Sequence, residues 1–193
     1  MTFNRLGVLP RISYAASMRE SSDEQLMQQY ASGDTESFDQ LYSRHRGALY
    51  RYFKRQVRDT ALVNDLYQGV WEKIIRARSN YQSSTPFTPW MFRIAHNHLV
   101  DHYRRQRPED HVEAGKLVGN LPEPSQHVID DQHRRDLRDQ ITGLPAEQRD
   151  TLLLKLETGL KMEEIANVTG VSRETVKSRL RYAVNKLKRS LVE

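Results

Sequence analysis

The sequence predicts an all-α fold: two small helical domains joined by an acidic flexible linker, the C-terminal one a helix-turn-helix. Three observations carry that expectation. Apolar residues recur at steps of three and four along most of the chain, with no strand-like alternation and no internal repeat. Serine, aspartate and glycine stand where helices have to begin and end. Residues 108–131 break the pattern, with Pro108, Pro122 and Pro124, two glycines, and six acidic side chains against Lys116 alone. Such a net −5 stretch with little periodicity reads as an extended linker, an ordered surface loop being the alternative.

Residues 1–21 lack periodicity and read as a flexible arm. Ser22 followed three residues later by Gln25 predicts a capping box, and Gly33 closes that first short helix. Asp34 caps a second helix whose Phe38, Leu41, Tyr42, His45, Leu49, Tyr52, Phe53 and Val57 share one inward face. Asp59 caps a third, with Leu62, Val63, Leu66, Tyr67, Val70 and Ile74 inward. After a loop rich in Ser, Thr and Pro (79–88), Thr88 and Pro89 supply an N-cap and a first-turn proline for a fourth helix reaching about Arg107. The domain is expected to span 22–107.

The second domain, 132–193, begins with a helix bearing Leu137 and Ile141 and ending near Gly143. Leu144-Pro145 starts another, with Leu152, Leu153 and Leu156 inward and Gly159 at its end. The segment Met162–Lys177 has helix-turn-helix grammar. Ile165 and the small Ala166 lie on its first helix, Gly170 makes the sharp turn, Val171 plugs the core and Ser172 caps the second helix. On that last helix Val176, Leu180, Ala183, Val184, Leu187 and Leu191 form the inward stripe. Glu174, Lys177, Ser178, Arg181, Asn185 and Lys188 fall opposite at about 100° per residue.

Composition excludes several classes of function. The chain has 193 residues and no cysteine, which rules out a disulfide scaffold, thiolate metal sites and cysteine nucleophiles. No run approaches the roughly 20 apolar residues that span a bilayer, and the N-terminus has no apolar core of signal-peptide length, so a soluble cytoplasmic protein without membrane insertion is expected. No Gly-rich phosphate loop, nucleophile elbow or paired carboxylate motif is present, so no catalytic residue and no cofactor are assigned. The net charge of +5 decides little until it is divided by segment. Between Arg93 and Arg107 the balance is +3, in the linker −5, and from Arg173 to Arg189 it is +6.

Three surfaces are candidates for function. On the third helix Asp65, Gln68, Glu72 and Arg76 form a polar stripe, either merely solvated or able to dock a basic or polar protein surface. On the fourth, Trp90, Arg93, Asn97, Asp101 and Arg104 share a face. There a ring to stack on, guanidiniums for phosphate and an amide for a base edge would suit unpaired bases. The alternative places Trp90 in the core with solvated arginines around it. The basic final helix is suited to the major groove, or is the charged side of an ordinary helical hairpin. His96, His98 and His102 cluster on the fourth helix, but Leu99 follows His98 where a zinc-protease motif needs glutamate, so no metal is assigned.

Four segments in this order, with the acidic stretch between the third and fourth, resemble an extracytoplasmic-function (ECF) sigma factor of bacterial RNA polymerase. They are GDTESFDQLYSRHRGALYRY (33–52), DLYQGVWEKI (65–74), PFTPWMFRIAHNHLVDHYRR (86–105) and LPAEQRDTLLLKLETGLKMEEIANVTGVSRETVKSRLRYAVNKLK (144–188). The resemblance implies that the protein is not an enzyme. Its partners are core RNA polymerase (the beta-prime clamp helices and the beta flap), promoter DNA and an inhibitory anti-sigma factor. It implies polymerase docking by Asp65, Gln68 and Glu72. Asn80, Ser83, Ser84, Trp90, Arg93, Asn97, Asp101 and Arg104 are the implied −10 contacts, the loop from Asn80 receiving a flipped base. Arg173, Glu174, Thr175, Lys177, Ser178 and Arg181 are the implied −35 contacts. Two positions depart from the family pattern. Gly69 stands where an acid commonly follows the glutamine, which is expected to weaken the helix by about 1 kcal/mol and to remove a polymerase contact. His96 stands where arginine is common, exchanging a permanent cation for a titratable one. The rival readings are an autonomous helix-turn-helix regulator and a metal-dependent nucleic-acid enzyme built on the histidines.

Overall fold

The computed structural model describes residues 21–106 and 137–190, and every regular element among them is helical. The arm expected at 1–21, the linker expected at 108–131, Arg107 and Leu191 lie essentially outside the described residues. The elements are α1 (Asp23–Ala31), α2 (Thr35–Gln56), α3 (Thr60–Ala77), a 3₁₀ turn (Arg78–Asn80), α4 (Phe87–Gln106), α5 (ending at 142), α6 (Ala146–Thr158), α7 (Met162–Thr169) and α8 (Arg173–Ser190).

Local chemistry sets most boundaries. The Ser22–Gln25 capping box is present in both directions, at 2.9 and 3.3 Å. Asp34 and Asp59 accept the Glu36 and Ala61 N–H groups at 3.1 and 2.9 Å. Gly159 and Gly170 take φ of 70° and 69°, a left-handed conformation that costs any other L-residue about 1 kcal/mol or more. The start of α4 is different. It begins at Phe87, so Thr88 lies inside the helix rather than capping it, and the Phe87 N–H donates instead to Oε1 of Glu24 at 2.9 Å. A side chain of α1 therefore caps α4, a tertiary cap that no local motif announces. Burial opposes ionisation of Glu24, but the backbone N–H groups it accepts hold its carboxyl below the usual range.

The neighbouring Asp23 ties α1 to α2 by meeting Nε2 of His45 at 2.6 Å and Nη1 of Arg44 at 2.8 Å. The His45 hydrogen bond, aided by Arg44, keeps the Asp23 carboxyl below its usual value. The core behind these contacts is built as the periodicity predicts from Leu41, Leu49, Tyr52, Phe53, Val63, Leu66, Val70 and Ile74, to which α4 adds Met91, Phe92 and Ala95.

The same core continues into the second helical unit. Ile141, Leu153, Leu154, Leu160, Ile165, Val168 and Val176 join it, because α6 packs on α2 and α7 packs on α4. This explains one failed expectation. Leu156, expected inside, is 57% exposed, while Leu154 is fully buried. Helix α6 is covered on two sides: Leu152 faces Leu144 and Ala183 of α8, whereas Leu153 and Leu154 belong to the core shared with α2. A helix sandwiched in this way has a run of buried residues rather than one amphipathic stripe. Leu137 and Val184, also placed inward by spacing, are 43% and 40% exposed at the edges of their faces.

Polar groups line the same junction. Asp150, 7% exposed, accepts the Tyr52 hydroxyl at 2.5 Å and Nε2 of Gln56 at 2.8 Å on one oxygen, and its other oxygen meets Nδ1 of His96 at 2.8 Å. Two turns further along α6, Glu157 is gripped by Arg51 at 2.7 Å and Arg55 at 2.6 Å.

The capping box gives a direct check. Ser22→Ala removes one half of it at an exposed helix start and is expected to lower stability by about 1 kcal/mol, seen as a reduced urea midpoint with an unchanged m-value.

Candidate functional site

The α3 stripe survives as a surface. Asp65, Gln68 and Glu72 are all exposed, and Glu72 pairs only loosely with Arg76 at 3.4 Å, a contact between largely solvated side chains that contributes little. Helix α4 adds to this surface from across a groove. Leu62, Asp65, Leu66, Gln68, Gly69 and Glu72 on one wall meet His98 and His102 on the other around about 360 Å³. The histidines that suggested a metal pair in the sequence thus help line the groove beside the candidate docking stripe.

Gly69 explains how α4 places a ring there. A Cβ at this position would lie 2.4 Å from Nε2 of His98, so the imidazole occupies the space that every other residue type fills. On the ring's far side, Nδ1 of His98 stands 2.9 Å from Nζ of Lys73. An ammonium only donates, so Nδ1 accepts and the ring proton sits on Nε2. Burial first, and then the Lys73 charge, push the His98 pKa down and favour that neutral form. The glycine has a packing role that a helix-propensity argument misses. His96 leaves this groove altogether and turns to Asp150, so in this arrangement it is not available to a phosphate.

The second surface lies on α4. Arg93, Asn97 and Arg104 are exposed, and half-buried Asp101 accepts from Arg104 at 3.1 Å. Trp90 is neither free nor a core residue: it is half-buried, with its ring 4.9 Å edge-on from Tyr81 and 5.8 Å from Phe87. Tyr81 in turn braces the preceding loop, its hydroxyl donating to the Thr85 carbonyl at 2.5 Å. Burial, with Glu24 and Asp23 nearby, pushes that hydroxyl up to about 12, so it remains a donor at any physiological pH. Asn80, Ser83 and Ser84 are exposed on this braced loop, beside the start of α4. Tyr81 is the residue that links the loop to Trp90, and the sequence reading passed over it.

The third surface is the helix-turn-helix. Ser172 accepts the Thr175 N–H at 3.1 Å and starts α8 as expected. Arg173, Glu174, Lys177 and Arg181 are exposed along its outer side. Arg173 reaches back to Glu163 of α7 at 2.6 Å, and Arg181 lies 5.2 Å over the ring of Tyr182. Thr175 and Ser178 are half-buried, and Ser178 spends its hydroxyl on the Thr175 carbonyl at 2.9 Å, which leaves them less to offer a ligand than the four charged positions.

Comparison with known proteins agrees with this arrangement. The family model Sigma-70 region 2 matches residues 41–109, and Sigma-70, region 4 matches residues 141–189. The RNA polymerase sigma factor CarQ of Myxococcus xanthus is 31% identical over 170 residues, 86% of this chain and 96% of that protein. The ECF RNA polymerase sigma factor SigK of Mycolicibacterium vanbaalenii is 28% identical over 171 residues, 86% of this chain and 87% of that protein. Among solved structures, CnrH in complex with the cytosolic domain of CnrY superposes with a TM-score of 0.68 at 25% identity, covering 89% of this chain and 97% of that one. This chain belongs to the ECF group of RNA polymerase sigma factors. It is an alternative sigma factor that directs transcription initiation.

The Gly69–His98 contact predicts a reversal of sign. Gly69→Ala is expected to lower stability by about 1–2 kcal/mol in the native background, because the new methyl displaces the imidazole. In a His98→Ala background the same change should raise stability by about 1 kcal/mol through helix propensity alone. Denaturant unfolding of the four proteins measures both.

Proposed function

We propose that the chain is a promoter-specificity subunit with no catalytic chemistry of its own, working in the cytoplasm, and that its three surfaces divide the work. Residues 22–107 act as the region 2-like domain and 132–193 as the region 4-like domain, with 108–131 as tether. Asp65, Gln68 and Glu72 dock on the polymerase clamp helices, and the second domain meets the flap. Trp90, Arg93, Asn97, Asp101 and Arg104, with Asn80, Ser83 and Ser84 on the braced loop, hold the unpaired −10 strand. Arg173, Glu174, Lys177 and Arg181, with Thr175 and Ser178 behind them, read the −35 element.

The observation that carries this reading is the separation of an acidic–amide groove on α3 from the basic, Trp90-bearing face of α4 within one small domain. An autonomous regulator needs neither face. The metal-dependent reading loses its geometric basis, since His96 and His98 turn to different partners, Asp150 and Lys73. Base capture from a melted −10 strand offsets an unstacking cost of a few kcal/mol. Two modest DNA contacts held on one polymerase gain further through effective concentration. An inhibitory protein partner is also proposed, supported by the likeness to CnrH, whose structure contains the cytosolic domain of CnrY.

Reconstituted transcription tests the proposal. Core polymerase with this protein is expected to start promoter-specific RNA on templates from the native genome, and no such RNA would refute it. Arg181→Ala should weaken initiation that depends on the −35 element and lower the log–log salt slope by about one. Unchanged promoter strength in that variant would remove Arg181 from the contact set.

A further inference from the structure

Two adjacent glutamates stand in the first turn of α7, and they have different partners. Glu164 turns back to its own helix, where Oε2 accepts the Lys161 N–H at 2.7 Å. Glu163 reaches out of α7 instead. Its Oε1 meets Nε of Arg173, the first residue of α8, at 2.6 Å. This bridge joins the two halves of the helix-turn-helix in solvent, with the Glu163 and Arg173 side chains 61% and 58% exposed.

The fold does not need the bridge. Gly170 makes the turn in a left-handed conformation, and the Val171 N–H closes it onto the Ala166 carbonyl at 3.2 Å. Ser172 starts α8 by accepting the Thr175 N–H, while Ile165, Val168 and Val176 supply the buried contact between the helices. An ion pair between solvated side chains adds little stability to such a framework. Its effect falls on the Arg173 side chain, which otherwise has many rotamers open to it. A cation in the first turn of α8 also stands at the positive end of that helix, an unfavourable placement that the Glu163 carboxylate offsets.

Which part of the guanidinium the bridge uses decides what remains for a ligand. An arginine carries five N–H donors in one plane, one on Nε and four on the two Nη atoms. Glu163 takes the Nε side, and the terminal Nη groups remain for DNA. Such a fork matches the O6 and N7 acceptors that guanine presents in the major groove. The first residues of a recognition helix are the ones that reach base edges there. An arginine without a clamp settles as readily on phosphate, a contact that holds DNA but carries no sequence. The Glu163 charge works in the same direction, because a carboxylate at this edge repels backbone phosphates of any sequence.

We propose that Glu163 is a positioning residue for −35 recognition: it clamps Arg173 through Nε so that the Nη fork reads a guanine edge rather than a phosphate. The proposal rests on the −35 reading of α8 above. It adds a residue of α7, which acts through Arg173, to the determinants of promoter choice.

Polymerase holoenzyme reconstituted with the full chain tests it. The templates carry 7-deazaguanine, which lacks the N7 acceptor, at each guanine of the −35 region in turn. At one such guanine the native factor should lose about tenfold in initiation, while Arg173→Ala and Glu163→Ala are indifferent to the replacement. Glu163→Ala should also steepen the log–log salt dependence of promoter binding by about one, because the released Arg173 takes a phosphate. Its urea midpoint should stay native, since the turn and the caps do not use the bridge. A Glu163→Ala factor that discriminates like the native one overturns the proposal, as does a native factor indifferent at every guanine. A lowered urea midpoint with an unchanged salt slope overturns it too, by making Glu163 merely structural. All three outcomes leave the sigma reading standing, whereas a native factor that starts no promoter-specific RNA removes both.

Discussion

Asp150 stands at the meeting of α6 with α2 and α4, 7% exposed, and a carboxyl group in such a place is tolerable only because three polar groups surround it. Burial and the adjacent Asp150 push the Tyr52 hydroxyl well above its ordinary range, so that it stays a committed donor. Gln56 is held in turn: its amide donates to Asp150 and its carbonyl oxygen accepts from Nε of Arg149 at 3.1 Å. Such a network rewards one relative placement of the two units and penalises near misses, since each buried group left unpaired costs about 1–3 kcal/mol. Leucines alone would tolerate sliding. The polar hub gives the junction its register, and Glu157 with its two arginines adds a second fixed point two turns away.

Much of this molecule was legible because its helix boundaries are written locally. Ser22, Asp34, Asp59 and Ser172 cap the helices they precede, and Gly159 and Gly170 end theirs in left-handed conformations. These devices act within four residues, the range over which sequence patterns are informative. The exposed positions of the α3 stripe, the α4 face and the outer side of α8 were equally readable, because they follow from helical period once the buried stripe is known. What could not be read is what depends on a second element. Glu24 caps α4 from across the domain, Leu154 replaces Leu156 because α6 has two neighbours, and Tyr81 joins the loop to Trp90 by ring contact. His98 and His102 look like a metal pair in one dimension and become one wall of a groove in three.

The two departures from the family pattern show how a substitution acquires meaning from its neighbours. Glycine at position 69 would be a simple loss on α3, about 1 kcal/mol of helix propensity and one acidic contact fewer. In the structure it is half of a pair: the missing Cβ makes room for the His98 ring, and Lys73 fixes that ring in its neutral form. The groove beside Asp65 and Gln68 consequently has an imidazole in its wall in place of a carboxylate, a change in the chemistry it offers rather than a gap in it. His96 is likewise turned away from the proposed nucleic-acid face, yet it gains Asp150 and so joins the contact between the two units. An arginine at position 96 would be a permanent cation. A histidine there, turned inward, ties α4 to α6 and so the first helical unit to the second. One residue thereby gains its meaning from the direction in which a single ring points, toward the buried carboxylate of the other unit.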